Sequence, residues 1–396
     1  MLRVKSYAVA ELEDASKKAS INSVQRENVA FVGQYFCDPA MPPLHQAVAS
    51  GNITLLKETL KRAKLDRLDQ NGETALTLAV RLGWVDLLEV LVRGGAKSEG
   101  NNGKTALHVA VTLRSYQCIK RLLKLGIRAD VSDASGYTPL MLASKNGDVS
   151  GVKLLIEHGG KIGRQGYLSS ALPLALSAES IGCLRALLEA GAGVDCKVGT
   201  DPSRTLLVDA IETNNVKIVE ILYEAFLAQG VCIGAALEKA IQLCLPKIME
   251  IFLKRGYDPN RSTKAVPLLE LALKASLNSR RELIRLLLLY GTNIKTIDKE
   301  NSILFYQCPS VLSMLLHAGL NICNTTFQMH MIGNTDREKA CKKVVKDWTS
   351  KPPSLSHFCR LKIRSQLRNV AFDVERLPLP PSIISYLQYD KFLMFV

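Results

Sequence analysis

Several residues in this chain are of types that could do chemistry, but their spacing does not suit it. Cys308 and Cys323 lie near His317 in sequence, but a zinc site normally needs four ligands in a recognisable spacing, which these do not make. Gly191-Ala192-Gly193 follows a helix-like segment instead of opening one, so it is no phosphate loop. The chain has no Gly-Lys-Ser/Thr and no Gly-x-Ser-x-Gly. Cys359 is a conceivable transfer nucleophile. However, His357 points elsewhere on a helix, and no nearby His/Asp set exists to activate the thiol. The expectation is a chain with no active site, no bound metal and no cofactor.

The residue types that do point somewhere are apolar, and they lie in the last forty-odd positions. Leu355, Cys359 and Ile363 are spaced i, i+4, i+8, which makes one stripe on a helix. Ser354, following Pro352-Pro353, is a good N-cap and places the helix start just before Leu355. A cysteine in the middle of such a stripe acts as a small hydrophobe suited to a shallow pocket. The second motif, Leu377-Pro378-Leu379-Pro380, alternates proline with leucine. The prolines favour an extended backbone and prevent helix, so Leu377 and Leu379 are presented with little entropy left to lose. Ile383, Ile384 and Leu387 then predict a short helix.

The elements upstream of this tail are a repeat. Leu-x-x-Ala recurs at Leu44/Ala47, Leu76/Ala79, Leu107/Ala110, Leu140/Ala143, Leu207/Ala210, Leu237/Ala240 and Leu269/Ala272, with Ser177 replacing alanine after Leu174. Leu304 opens a degenerate ninth unit, and successive leucines are 30 to 35 residues apart. Second helices follow, with apolar stripes such as Val85, Leu87, Leu88 and Leu91. They tend to end at glycine: Gly95, Gly126, Gly159, Gly191, Gly256, Gly291 and Gly319. Gly51, Gly83 and Gly147 mark tight turns between paired helices. Units six, seven and nine are weak: Gln229-Gly230 stands for the usual ending, Pro246 interrupts a helix start, and Gln307 replaces alanine.

With its roughly 33-residue period, Thr138-Pro139-Leu140 and Thr105-Ala106-Leu107-His108, the region 38–327 resembles the ankyrin family. That resemblance implies an all-α solenoid of stacked helix pairs. It also implies that His45 and His108 hydrogen-bond neighbouring turns and do not catalyse. The segment from Pro353 to Leu387 resembles the SOCS box. Together the two resemble the ankyrin repeat and SOCS box family. The domains expected are an N-terminal tail or partial cap (1–37), about nine repeats (38–327), a linker (328–349) and the box (350–396). The resemblance implies Elongin C contact, with Elongin B, through Leu355, Phe358, Cys359 and Ile363. Phe358, where the family often has leucine, departs mildly and keeps the face apolar. It implies cullin-5 contact, with its RING protein, through Leu377, Pro378, Leu379 and Pro380. The chain is then a non-catalytic substrate-recognition subunit of a ubiquitin ligase, its repeats holding a protein substrate that the sequence does not name. The plainer alternative for the tail is a helical cap over the last repeat.

Composition narrows the alternatives. The chain has 396 residues and is 47% apolar, which excludes disorder as the main state. No apolar run is long enough to span a membrane, and Met1-Leu2-Arg3-Val4-Lys5 lacks the features of a signal peptide. Ten cysteines without a Cys-x-x-Cys predict free thiols in a reducing compartment, the cytosol or nucleus. A net charge of +14 is diffuse, with Lys339, Lys342, Lys343 and Lys346 the nearest thing to a cluster. That argues against a nucleic-acid stripe. Two other classes remain open: a scaffold that sequesters a partner without ubiquitination, and a nucleic-acid or membrane-surface binder using the positive charge.

Overall fold

The computed structural model describes residues 41–388, except 63, 66, 160–166, 195–204, 232, 262–266, 295–307, 321–334, 351–353, 365–366, 368–373 and 375. The expected tail (1–37), Cys323, and the first helix expected of the ninth unit, with Leu304 and Gln307, lie outside these residues. The chain divides into two compact units, Met1–Gly193 and Val194–Val396. Among the described residues there is no strand, only an isolated bridge between Glu99 and Thr105.

The first unit is built of helix pairs: α1 (Pro43–Ala49) with α2 (Ile53–Leu60), α3 (Ala75–Leu82) with α4 (Val85–Arg93), and α5 (Ala106–Thr112) with α6 (Tyr116–Lys124). They are followed by α7 (Pro139–Lys145) with α8 (Val149–Gly159), and α9 (Tyr167–Ser177) with α10 (Ile181–Glu189). A pair this short cannot bury its apolar face alone, and stacking supplies the cover. The repeated leucine and alanine positions are the core: Leu44, Ala47, Leu76, Ala79, Leu107 and Ala110 are all buried.

Local chemistry sets where these helices start and turn. Thr74, Thr105 and Thr138 cap α3, α5 and α7, each hydroxyl accepting from the N–H three residues on. Between paired helices the chain passes through the left-handed region. Gly51, Gly83 and Gly147 do this as expected, but Arg114 and Glu179 adopt the same conformation at φ 53° and 49°. For residues with a β-carbon that conformation costs about 1 kcal/mol each, which the surrounding stack must offset.

His45 and His108 bind turns in the next pair. Asp69 Oδ1 accepts from Asn71 N and Glu73 N, folding one inter-repeat turn, and Asp133 Oδ1 does the same with Ser135 N and Tyr137 N. His45 Nε2 donates to Glu73 O and His108 Nε2 to Tyr137 O, both at 2.9 Å. Nδ1 of His108 accepts from Thr105 N at 3.1 Å, which fixes the tautomer. Burial lowers the pKa of both histidines, so they remain neutral bridges. His108→Ala leaves Tyr137 O and Thr105 N buried without these partners. It is expected to destabilise the first unit by about 1–3 kcal/mol, read as a lower urea midpoint at unchanged slope. An unchanged midpoint would show the bridge to be dispensable.

The second unit continues with α11 (Leu206–Glu212), α12 (Val216–Ala228), α13 (Gly234–Gln242), α14 (Pro246–Lys254), α15 (Leu268–Lys274), α16 (Leu277–Leu289) and α17 (Pro309–His317). Tyr223 and Phe252 meet edge to face at 4.8 Å between α12 and α14. Two features read as weak are regular here. Pro246 does not interrupt a helix; it is the first residue of α14, where its missing N–H costs nothing. Gln229-Gly230 ends α12 normally, with Gly230 at φ 68°. The stretch assigned as a linker contains α18 (Asp336–Ser350), a 15-residue helix. A capping box starts it: Thr335 N donates to Glu338 Oε2 at 2.9 Å, and Glu338 N donates back to Thr335 Oγ1. Cys341 is its buried residue, and burial raises the thiol pKa to about 11.

Candidate functional site: a docked C-terminal helix with one free face

Ser354 caps α19 (Leu355–Arg364), its hydroxyl accepting from His357 N at 3.3 Å, so the helix begins where the sequence places it. At 100° per residue, His357, Arg360, Leu361 and Arg364 share one side of α19, while Leu355, Cys359 and Ile363 share the opposite side.

The first side is docked on the helices before it. Arg360 is buried, and its Nη2 donates to His357 Nδ1 at 2.6 Å and reaches His317 O, the end of α17, at 3.5 Å. Arg364 donates from Nη2 to Leu288 O in the last turn of α16, and from Nη1 to Leu387 O. The acceptors are carbonyls at helix C-termini, where unpaired acceptors and the negative end of the dipole favour a cation. His317 contacts Trp348 of α18 at 4.7 Å between centroids, and Trp348 contacts His357 at 5.6 Å. Leu361 packs on Gly319, where an added β-carbon would sit 3.2 Å from a Leu361 methyl and φ is 103°. Glycine at that position therefore terminates α17 and also admits α19.

The opposite side is open. Cys359 and Ile363 are exposed, the isoleucine by 40%. Leu355 and Phe358 lie in the same helix, and their side chains fall outside the described set. In the second motif, Pro378 and Pro380 are exposed, while Leu377 and Leu379 are half-buried. Leu379 packs with Leu367 and Ile384 on a small core of Val374 and Leu387, so part of its apolar surface already serves the module itself. Pro380 O accepts from Ile383 N and Ile384 N as α20 (Pro381–Gln388) begins, the short helix the sequence predicts. Ile383 is exposed on it.

Sequence reasoning missed the docked side, although His357, Arg360, Leu361 and Arg364 follow i, i+3, i+4, i+7. That signal was legible as a helical face, but its charged members disguised it as solvent-facing. Among the described residues, no three His, Cys, Asp or Glu side chains cluster as a metal site, and no helix is long and apolar enough to cross a membrane.

Comparison with known proteins finds relatives of both parts of the chain. The profile of ankyrin repeats (3 copies) matches residues 44–133 and 126–198, and that of the SOCS box matches residues 351–388. Ankyrin repeat and SOCS box protein 6 of Homo sapiens is 24% identical over 326 residues, covering 67% of this chain and 76% of that relative. Ankyrin repeat domain-containing protein SAT10 of Stachybotrys chartarum is 26% identical over 217 residues, covering 46% of this chain but only 11% of the fungal protein. Among solved structures, the ankyrin repeat domain of human ASB11 is 23% identical with a TM-score of 0.39, covering 62% of this chain and 97% of that domain. That of Bcl-3 is 25% identical with a TM-score of 0.47, covering 54% and 98%.

The molecule is an all-α ankyrin-repeat protein with a SOCS box after the repeats. Across 67% of its length the chain is similar to ankyrin repeat and SOCS box protein 6, whose name carries the same two parts. A SOCS box joined to such repeats supports, in general terms, a non-catalytic substrate adaptor of a ubiquitin ligase.

Proposed function

We propose that this chain is the substrate-recognition adaptor of an Elongin B/C–cullin-5 RING ubiquitin ligase. The observation that supports this most directly is the two-sided α19: one side is held by Arg360 and Arg364, and the other leaves Cys359 and Ile363 uncovered. A helix serving only as a cap needs no apolar residues on its outer side. Elongin C takes that side, through Leu355, Phe358, Cys359 and Ile363. Cullin-5 takes the second motif, chiefly Pro378 and Pro380, with the outer parts of Leu377 and Leu379. The repeats hold the substrate, and the ligase supplies the chemistry. This chain contributes proximity, by raising the effective concentration of a substrate lysine near the charged conjugating enzyme. The six described cysteines are free thiols, consistent with work in the cytosol or nucleus.

The test is affinity purification followed by mass spectrometry, comparing the full chain with one ending at Ser350. Elongins and cullin-5 are expected only with the full chain, and substrates with both. In the full chain, Leu377→Ala with Pro378→Ala and Pro380→Ala is expected to weaken cullin-5 capture while keeping Elongins. Recovery of Elongins with the shortened chain contradicts the assignment. Absence of Elongins from both marks a scaffold that sequesters its partner.

A further inference from the structure

Two cysteines outside the ligase reading lie on helices that pack together. Cys308 is the half-buried N-cap of α17, and Cys341 is buried in α18. Both are thiols in this structure. α17 packs against α18 and also against α16.

One ring contact sets the register of the two cysteines. His317, the last residue of α17, lies 4.7 Å from Trp348 of α18 between centroids, so these residues mark the facing sides. Cys341 is seven residues before Trp348, and Ser310 is seven before His317. Seven residues make close to two helical turns, so Cys341 and Ser310 return to the facing sides. Cys308 Sγ lies 3.2 Å from Ser310 Oγ, which holds the thiol toward that side of α17. At about 1.5 Å per residue, Cys341 stands about 10 Å along its helix from Trp348, and Cys308 about 13 Å along its helix from His317. Parallel helices bring the two thiols to nearly the same level, whereas antiparallel helices would set them more than about 20 Å apart. Electrostatics selects the parallel case. Burial first, and then the charge of Cys308, raise the Cys341 pKa to about 11, an influence that would be screened out at the longer separation.

Arg280 of α16 is buried and also feels Cys308: burial lowers its pKa, and a thiolate at Cys308 pushes it back up. Cys308 therefore has a buried cation and a second thiol within electrostatic range. A thiolate is the nucleophile toward a peroxide, and a neighbouring cation is a usual mark of an oxidisable cysteine.

We propose that Cys308 and Cys341 are a peroxide-responsive thiol pair: a hydroperoxide oxidises Cys308, and Cys341 then closes a reversible disulfide that fastens α18 to the start of α17. In the first step the Cys308 sulfur attacks a peroxide oxygen and the O–O bond breaks. Cys308 becomes a sulfenic acid, and its proton leaves with the released alcohol or water. In the second step the Cys341 sulfur attacks the Cys308 sulfur and the S–O bond breaks. The departing hydroxide takes the Cys341 proton as water. One hydroperoxide is reduced by two electrons and two thiols become one disulfide. Because the Cys341 thiol is seldom ionised, the sulfenic acid lasts long enough to trap. Such a bond is transient in a reducing compartment, as a redox sensor requires. This inference is independent of the ligase reading.

Hydrogen peroxide is the probe, applied to the full chain, with the remaining thiols then alkylated and the digest mapped by mass spectrometry. A disulfide joining Cys308 to Cys341 is expected, and dithiothreitol should reverse it. Cleavage after lysine and arginine leaves Cys308 and Cys323 in one peptide, so fragment ions assign the bond. Cys341→Ser is expected to lose the bond and to accumulate sulfenic acid at Cys308, trapped by dimedone; Cys308→Ser loses both. Cys244→Ser leaves the bond intact. A bond from Cys341 to Cys323, a bond formed only between two copies of the chain, or the absence of any bond at Cys341 overturns the proposal. That result is read on the unaltered chain, so it stands even if a serine variant fails to fold.

Discussion

Replacing Cys359 and Ile363 together with aspartate is expected to weaken binding of the Elongin B/C pair by more than about twentyfold, without unfolding the box. Truncating a central interface anchor commonly costs about 2 kcal/mol or more, and a carboxylate forced into an apolar contact adds its desolvation. Both side chains are exposed in the free chain, so neither change removes a buried contact from the described structure. The separation of effects is the informative part. Calorimetric titration with purified Elongin B/C should show the loss, while the thermal transition of the chain stays in place. Equal affinity for the double variant and the parent would remove the outer side of α19 from the interface.

The second large effect is on the inner side. Arg360→Ala is expected to release the box from the repeats at a cost of about 2–4 kcal/mol. Arg360 is among the largest fully buried side chains of the described structure, and its removal takes away both a hydrogen-bonded cation and the packing of its stem. Trp348 reports the event, because its ring lies against His317 and His357. In a Trp84→Phe background, its emission should shift toward that of exposed indole while the helical signal of the repeats persists. Unshifted emission would mean that Arg364 alone suffices. The same cluster fixes the sign of a pH response. Burial, then Arg360 and then His317, hold the His357 pKa down to about 4, and burial also lowers that of His317. A histidine whose folded pKa lies below its ordinary 6.5 stabilises the docked state in its neutral form. That stability is fully present above pH 6.5 and is lost as pH falls toward 4.

The repeats were legible because their signals are local and periodic. Leu44, Leu76 and Leu107 with their alanines mark core positions, and Gly95 and Gly126 mark helix ends. Ser354 announced α19 in the same way. The left-handed turns at Arg114, Glu179, Asn214 and Cys244 were not legible, because no glycine flags them and tertiary packing holds them. The helix α18 was hidden by its lysines: its stripe is short, and its one fully buried residue is a cysteine. Pro246 misled because one proline either breaks a helix or begins one, and only its position decides. Burial of Arg360 depends on carbonyls far away in sequence, which no local pattern encodes. The sequence singles out Cys359 and Ile363, both exposed, and presents Leu379 for binding, whereas part of Leu379 packs on Val374 and Leu387, a contact no local pattern encodes.

Arg360 and Arg364 are one helical turn apart and grip the ends of two different helices, α17 and α16. One tether would leave α19 free to swivel; two remove that rotation. Whatever sits on the outer side of α19 is therefore held at a set bearing to the last repeats of the second unit. For a ligase, such a bearing turns reach into selection. If the chain is the adaptor proposed above, lysines of a bound protein inside a narrow arc are expected to be modified and equally accessible lysines outside it passed over.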